Sequence, residues 1–204
     1  MSLMSTSASI TRYRVQGKID DSIIETVSEG LRRNTISDID EEASDMAVGW
    51  TTLESPYKPD FESSSVLIGT HFVFSLRIDK KAIPAKIVKK HVSIEERKRL
   101  DESGKEFLSR NEKQQIKELV IDRLSVKIPA TPSVYDLVWN HEEQELLFFT
   151  TQKNANEELE TLFNKSFKLT LVRLFPYTIG DLTTGLTDTE RDVLKKLTPS
   201  SFTE

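Results

Sequence analysis

The sequence predicts an α+β fold, with antiparallel or mixed sheets, helices on one face and a charged helical insertion in mid-chain. Three observations carry this. Strand-like runs rich in β-branched and aromatic residues come in neighbouring groups, as in "SVLIGTHFVFSLRID" and the pair "TPSVYDLVWN" and "QELLFFTTQ". Helical periodicity is confined to separate blocks, at Ile23, Ile24, Val27 and Leu31 and again at Leu159, Leu162 and Phe163. Between Pro84 and Lys127 the chain is dense in charge and helix-start signals.

Each element has its own local reason. Ser9–Gly17 alternates Ile10, Tyr13 and Val15 with polar residues, the pattern of a half-buried strand. Asp20 or Asp21 offers an N-cap for the helix that follows, and "ISDIDEEASD" is an acidic connector. "MAVGWTTLE" reads as a short strand, ended by the Pro56 and Pro59 loop. Pro84 suits a first helical turn, where its missing N–H costs nothing. Ser93 with Glu96, and Ser109 with Glu112, each have capping-box spacing. Two or three charged helices are therefore expected before Pro129, with Ile83, Ile87 and Ile94 forming one apolar stripe and Ile116, Val120 and Leu124 another. A hairpin turning at Asn140–Glu143, a helix over Asn154–Phe167, the strand "KLTLVRLFP" and the terminal helix "TDTERDVLKKLT" complete the order. The boundaries expected are 4–78 and 129–204 for two α+β halves and 79–128 for the helical segment, or one continuous domain. Met1–Leu3 reads as a cloning remnant before a start at Met4.

A chain of 204 residues, 37% hydrophobic and 30% charged, is a soluble globular protein with ample length for a core. It has no cysteine, which excludes disulfides, thiolate metal sites and cysteine nucleophiles, and fits a reducing cytoplasm. No apolar run reaches the roughly 18–20 residues of a membrane span, and the N-terminus lacks an export signal.

Charge is distributed unevenly. Residues 77–127 hold 15 Lys/Arg and 9 Asp/Glu, or +6, against a net −5 for the whole chain, so the remainder carries −11. Lys86, Lys90 and Arg97 share a narrow helical sector, and Arg110, Lys113 and Lys117 recur at i, i+3 and i+7. Taken alone, this pattern favours an ordinary solvated face over a phosphate-binding one.

Motifs for chemistry are missing. "HEEQE" at His141 has Glu145 where a zinc-peptidase helix needs a second histidine, and Gly104–Lys105 lacks the rest of a phosphate loop. His71, His91 and His141 are scattered, and Trp50 and Trp139 sit in apolar strands as core residues. No cofactor, metal site or catalytic residue is expected, and the chain reads as a non-enzyme.

Several colinear segments nevertheless resemble the RdgC family, the recombination-associated DNA-binding proteins of bacteria. They are "VGW" (Val48–Trp50), "DKKAIPAKIVKK" (Asp79–Lys90), "NEKQQIKELVIDRL" (Asn111–Leu124), "YDLVWN" and "NEELETLFNKSF", over roughly residues 10–175. The resemblance implies a nucleoid-associated, cytoplasmic homodimer closed into a ring, holding double-stranded DNA by its phosphates without sequence preference and so modulating recombination. The contacts expected here are Lys80, Lys81, Lys86, Lys89, Lys90, Arg110, Lys113 and Lys117. Lysine suits that role as a flexible point charge that reads no bases. About four phosphate contacts per subunit of a dimer would give a log-affinity against log-salt slope near −7. The chain departs from typical members in lacking most of their last third, and in having "KIPATPS" where they have Leu-Pro-Arg-Ala-Phe. An open clamp, a different oligomer or a lost DNA function is therefore an expected variation. The rival expectation is a protein-interaction module that keeps the fold without the ring.

Overall fold

The computed structural model describes residues 3, 5–19, 22–62 and 64–197. The proposed start at Met4 and the Asp20 or Asp21 cap lie outside these residues, and Ser22 stands at the helix N-cap without a side-chain cap bond.

The elements run β1 (Thr11–Gln16), α1 (Ile23–Arg33), β2 (Met46–Thr51), β3 (Leu67–Ile68), β4 (His71–Lys80), α2 (Ala85–Ser103), α3 (Arg110–Ser125), β5 (Thr131–Asn140), β6 (Glu145–Phe148), α4 (Lys153–Phe167), β7 (Thr170–Arg173), α5 (Pro176–Thr183) and α6 (Asp188–Lys196). The strands form one antiparallel sheet in the order β2-β4-β5-β6-β1-β7, with β3 also paired to β4. Strands from both sides of the helical insertion are thus interleaved. The α+β class holds.

Period-two alternation decides which sheet face is dry. On β4, Phe72, Phe74, Leu76 and Ile78 are buried; beside them lie Leu137 and Trp139 of β5, Leu146 and Phe148 of β6, and Tyr13 and Val15 of β1. Helices α1 and α4 close this core with Val27, Leu31, Leu159, Phe163 and Phe167. Both tryptophans are core residues, as expected, and Trp50 stacks on Phe167 at 5.8 Å. The other face is mixed: Val73, Val138 and Leu147 lie half-buried side by side, and next to them Ser75 donates to Asp136 at 2.8 Å and Arg77 forms a two-bond pair with Asp79 at 2.7 and 2.5 Å.

Gly49 explains the Val-Gly-Trp stretch. The chain at Asn34–Ile36 runs against β2, with Trp50 N–H donating to Asn34 O at 2.8 Å and Ile36 N–H donating to Trp50 O at 3.0 Å. A Cβ on Gly49 would lie 2.4 Å from Ile36 Cα, so only glycine permits this approach.

The insertion is two helices rather than three. Ser93 lies inside the continuous α2, so its predicted cap does not form; Ser109 and Glu112 do make theirs. The hairpin has a separate small cluster of Leu108, Ile116, Val120 and Leu124, with Ile83, Val88, Val92 and Leu100 against it. The stripe predicted on α2 is therefore corrected: Ile87 and Ile94 are 40% and 54% exposed. Two apolar flanks compete on this helix, and α3 covers the Val88–Val92 side. Helix α5, entered at Pro176, adds an element between the predicted strand "KLTLVRLFP" and the terminal helix.

Candidate nucleic-acid interface

The hairpin starts where β4 ends and returns where β5 begins. Its tip turns at Gly104, in the left-handed conformation at φ +64°. The α3 N-terminus is then secured twice. Ser109 Oγ accepts from the Glu112 amide at 3.3 Å, and the Glu112 carboxylate accepts from the Ser109 amide at 2.8 Å. Lys105 Nζ adds a 2.8 Å bond to the same carboxylate. The bond from Lys105, then those with Ser109, hold the Glu112 carboxyl down at about 2 against an ordinary 4.5.

This anchored start directs one side of α3 along the hairpin groove. Arg110, Lys113 and Lys117 line it together, with Gln114 beside them and Val92, Glu96 and Leu108 forming the rest of its wall. The i, i+3, i+7 spacing is thus realised as one basic edge. Lys89 lies one turn before Val92 on the same flank, and Lys86 and Lys90 are exposed further round α2. Lys80 is exposed at the end of β4. Among the described residues, none of these seven side chains forms an ion pair, whereas Lys98, Lys105 and Arg123 are taken up by Glu102, Glu112 and Glu95. Glu96 reduces the positive field of the groove without pairing any one base.

Lys81 does not belong to this surface. It is only 8% exposed, and its ammonium donates to three backbone carbonyls, Asp40 O at 3.0 Å, Glu42 O at 2.7 Å and Ser125 O at 2.7 Å. Its three donors are saturated, leaving none for a phosphate. Sequence adjacency hid this: successive side chains leaving a strand point to opposite sides, so Lys80 and Lys81 cannot share a role. Arg97 is not among the predicted contacts, yet it is exposed and, among the described residues, unpaired beside Lys86 and Lys90 in helical angle. That shared sector is the signal that would have included it.

Elsewhere the structure offers less. Among the described residues no group of three or more His, Asp or Glu side chains is placed to hold a metal ion. His141 packs against Phe72 at 5.4 Å, and His71 Nδ1 lies 3.2 Å from Thr70 Oγ1. No helix among these residues is long and apolar enough to cross a membrane.

A family model described as "Putative exonuclease, RdgC" matches residues 8–188. The chain belongs to the RdgC family. The match takes in the whole sheet, α1 to α5 and therefore the entire basic hairpin. No curated protein matches the chain. Family membership gives a general RdgC-like role and agrees with the α+β architecture.

Proposed function

We propose that this RdgC-family chain binds double-stranded DNA through its phosphates, without sequence preference and without chemistry on it, as a nucleoid-associated homodimer that modulates recombination by occupying the duplex. The observation that carries the reading is the convergence of Arg110, Lys113 and Lys117 on one groove with no ion-pair partner among the described residues. Lys80, Lys86, Lys89 and Lys90 extend the contact along the hairpin, and Lys81 is withdrawn from the set. Unpaired ammonium groups in water lose little solvation on meeting a phosphate and release condensed counterions, so affinity depends steeply on salt. The acidic remainder of the chain disfavours DNA on other surfaces.

The test is fluorescence anisotropy of a labelled duplex at two salt concentrations, alongside solution mass. The triple variant Arg110→Glu, Lys113→Glu, Lys117→Glu is expected to abolish salt-sensitive binding while keeping the fold. Unchanged binding would remove these residues from the interface. Incubation with a divalent metal tests the exonuclease of the family description: progressive loss of DNA ends would replace the non-enzymatic reading.

A second reading, a module that docks an acidic protein partner, is favoured by exposed Ile87 and Ile94 beside the lysines of α2. It predicts no duplex binding by the free protein even at low salt.

A further inference from the structure

The hairpin has little packing to fix its angle to the sheet. No residue of α2 is buried, and the apolar cluster of the hairpin is separate from the main core. A basic edge already held at one orientation meets a duplex without the cost of ordering it on binding. The stems show how that orientation is set.

Lys81 sits between the end of β4 and the start of α2, and Ser125 is the last residue of α3. The bond from Lys81 Nζ to Ser125 O, at 2.7 Å, therefore ties the outgoing stem to the returning one. The same ammonium reaches Asp40 O and Glu42 O, and the Lys81 amide donates to Asp45 O at 2.9 Å. The returning stem is gripped by the same connector, since the Ala130 amide donates to Asp40 Oδ1 at 2.7 Å. The connector is itself anchored by Ile39, which is buried.

We infer that Lys81 and the Asp40–Asp45 connector form a socket that fixes the hairpin angle, making Lys81 a positioning residue for the DNA surface rather than a phosphate contact. The inference rests on the proposed DNA binding for its functional consequence, but the socket itself stands on geometry alone. Lysine fits because its compact ammonium spends three donors on carbonyls from two separate segments, one of them a helix C-terminus where positive charge is favoured. Methionine at this position would leave all three carbonyls without that donor and cut the tie between Ser125 and the connector, with the β4–β5 ladder still joining the strands below. The role of the acidic connector then lies in its backbone carbonyls and in one carboxylate, Asp40.

The chain has no cysteine, so two introduced cysteines can be spin-labelled cleanly. Ser103→Cys at the hairpin tip and Thr161→Cys on α4 report the distance between hairpin and body by pulsed electron paramagnetic resonance. In an otherwise unchanged chain a single narrow distance distribution is expected. Lys81→Met should broaden it, and weaken duplex binding about tenfold if about a tenth of the hairpins keep the binding angle. The salt slope should stay as it was, because the phosphate contacts re-form once bound. Lys113→Gln should do the reverse, keeping the distribution and reducing the magnitude of the slope by about 0.9 per lost phosphate contact. Asp40→Ala, an exposed change that frees the Ala130 amide, should broaden the distribution more modestly and keeps the test decisive if Lys81→Met fails to fold. An unchanged distribution in Asp40→Ala and in any folded Lys81→Met overturns the socket. So does a Lys81→Met slope reduced like that of Lys113→Gln. Absence of DNA binding by the parent chain would defeat the proposed function, while the distance measurement would still judge the socket.

Discussion

Helices α4 and α2 are of similar length, 15 and 19 residues, but they stand in opposite relation to the protein. Helix α4 buries six residues, among them Phe163 and Phe167, whose rings meet edge-on at 4.8 Å, and its place is dictated by the sheet it covers. Helix α2 buries none; it leans on α3 and presents lysines to water. The body is thus specified by packing, and the hairpin by its caps and stems. On the proposed function this surface stays uncovered by core to meet a charged polymer, and on the socket inference its orientation comes from polar bonds at its base.

The comparison breaks most visibly at the core. Phe163→Ala should cost about 3–5 kcal/mol and lower the denaturant midpoint of the whole protein, because the cavity lies under the sheet. Leu124→Ala should cost about 2 kcal/mol, a low value for a leucine because the hairpin cluster is small. Its effect should be confined to α2 and α3, with hydrogen exchange accelerated there while the sheet amides stay protected. Global loss of protection would show that hairpin and body fold as one unit.

Smaller effects sharpen the picture at the tip. Ser109→Ala should cost about 1 kcal/mol, read as faster exchange in the first turn of α3. Glu112 adds a pH dependence of definite sign. Its carboxyl is held at about 2 in the folded chain against 4.5 ordinarily, so its stabilisation is complete above about 4.5 and is lost as pH falls towards 2. Acid titration of the Ser109 and Glu112 amides by nuclear magnetic resonance should show this loosening, and Glu112→Gln should flatten it. At the bottom of the scale, Ile87→Ala and Ile94→Ala should each change stability by less than about 0.5 kcal/mol, since both already face water.

How much of this could be read in the sequence follows the same division. The body was legible because burial imposes a period: Phe163 and Leu159 sit where helical spacing puts them, and the β5–β6 turn falls where polar residues interrupt two apolar runs. Helix α2 was less legible. With Val88 and Val92 on one flank and Ile87 and Ile94 on another, periodicity allowed two inward faces, and only the position of α3 chooses between them. The candidate site divides likewise. Arg110, Lys113 and Lys117 lie on one helix face, so spacing alone brought them together. Lys81 was misread because its partners are carbonyls from the connector and from the far end of α3, and backbone acceptors leave no mark in side-chain sequence. Helix α5 was passed over because its short run follows directly on a strand-like segment.

The ladder between β4 and β5 carries one more consequence. These strands are paired from His71 opposite Asn140 to Lys80 opposite Thr131, so the two ends of the insertion emerge side by side. Topologically the whole arm is an overgrown turn of a β-hairpin. A short type I′ turn such as Asn-Gly could close the same gap with the connectivity of the sheet intact. The arm is accordingly an insert whose length can change while the strand ends at Lys80 and Thr131 stay paired.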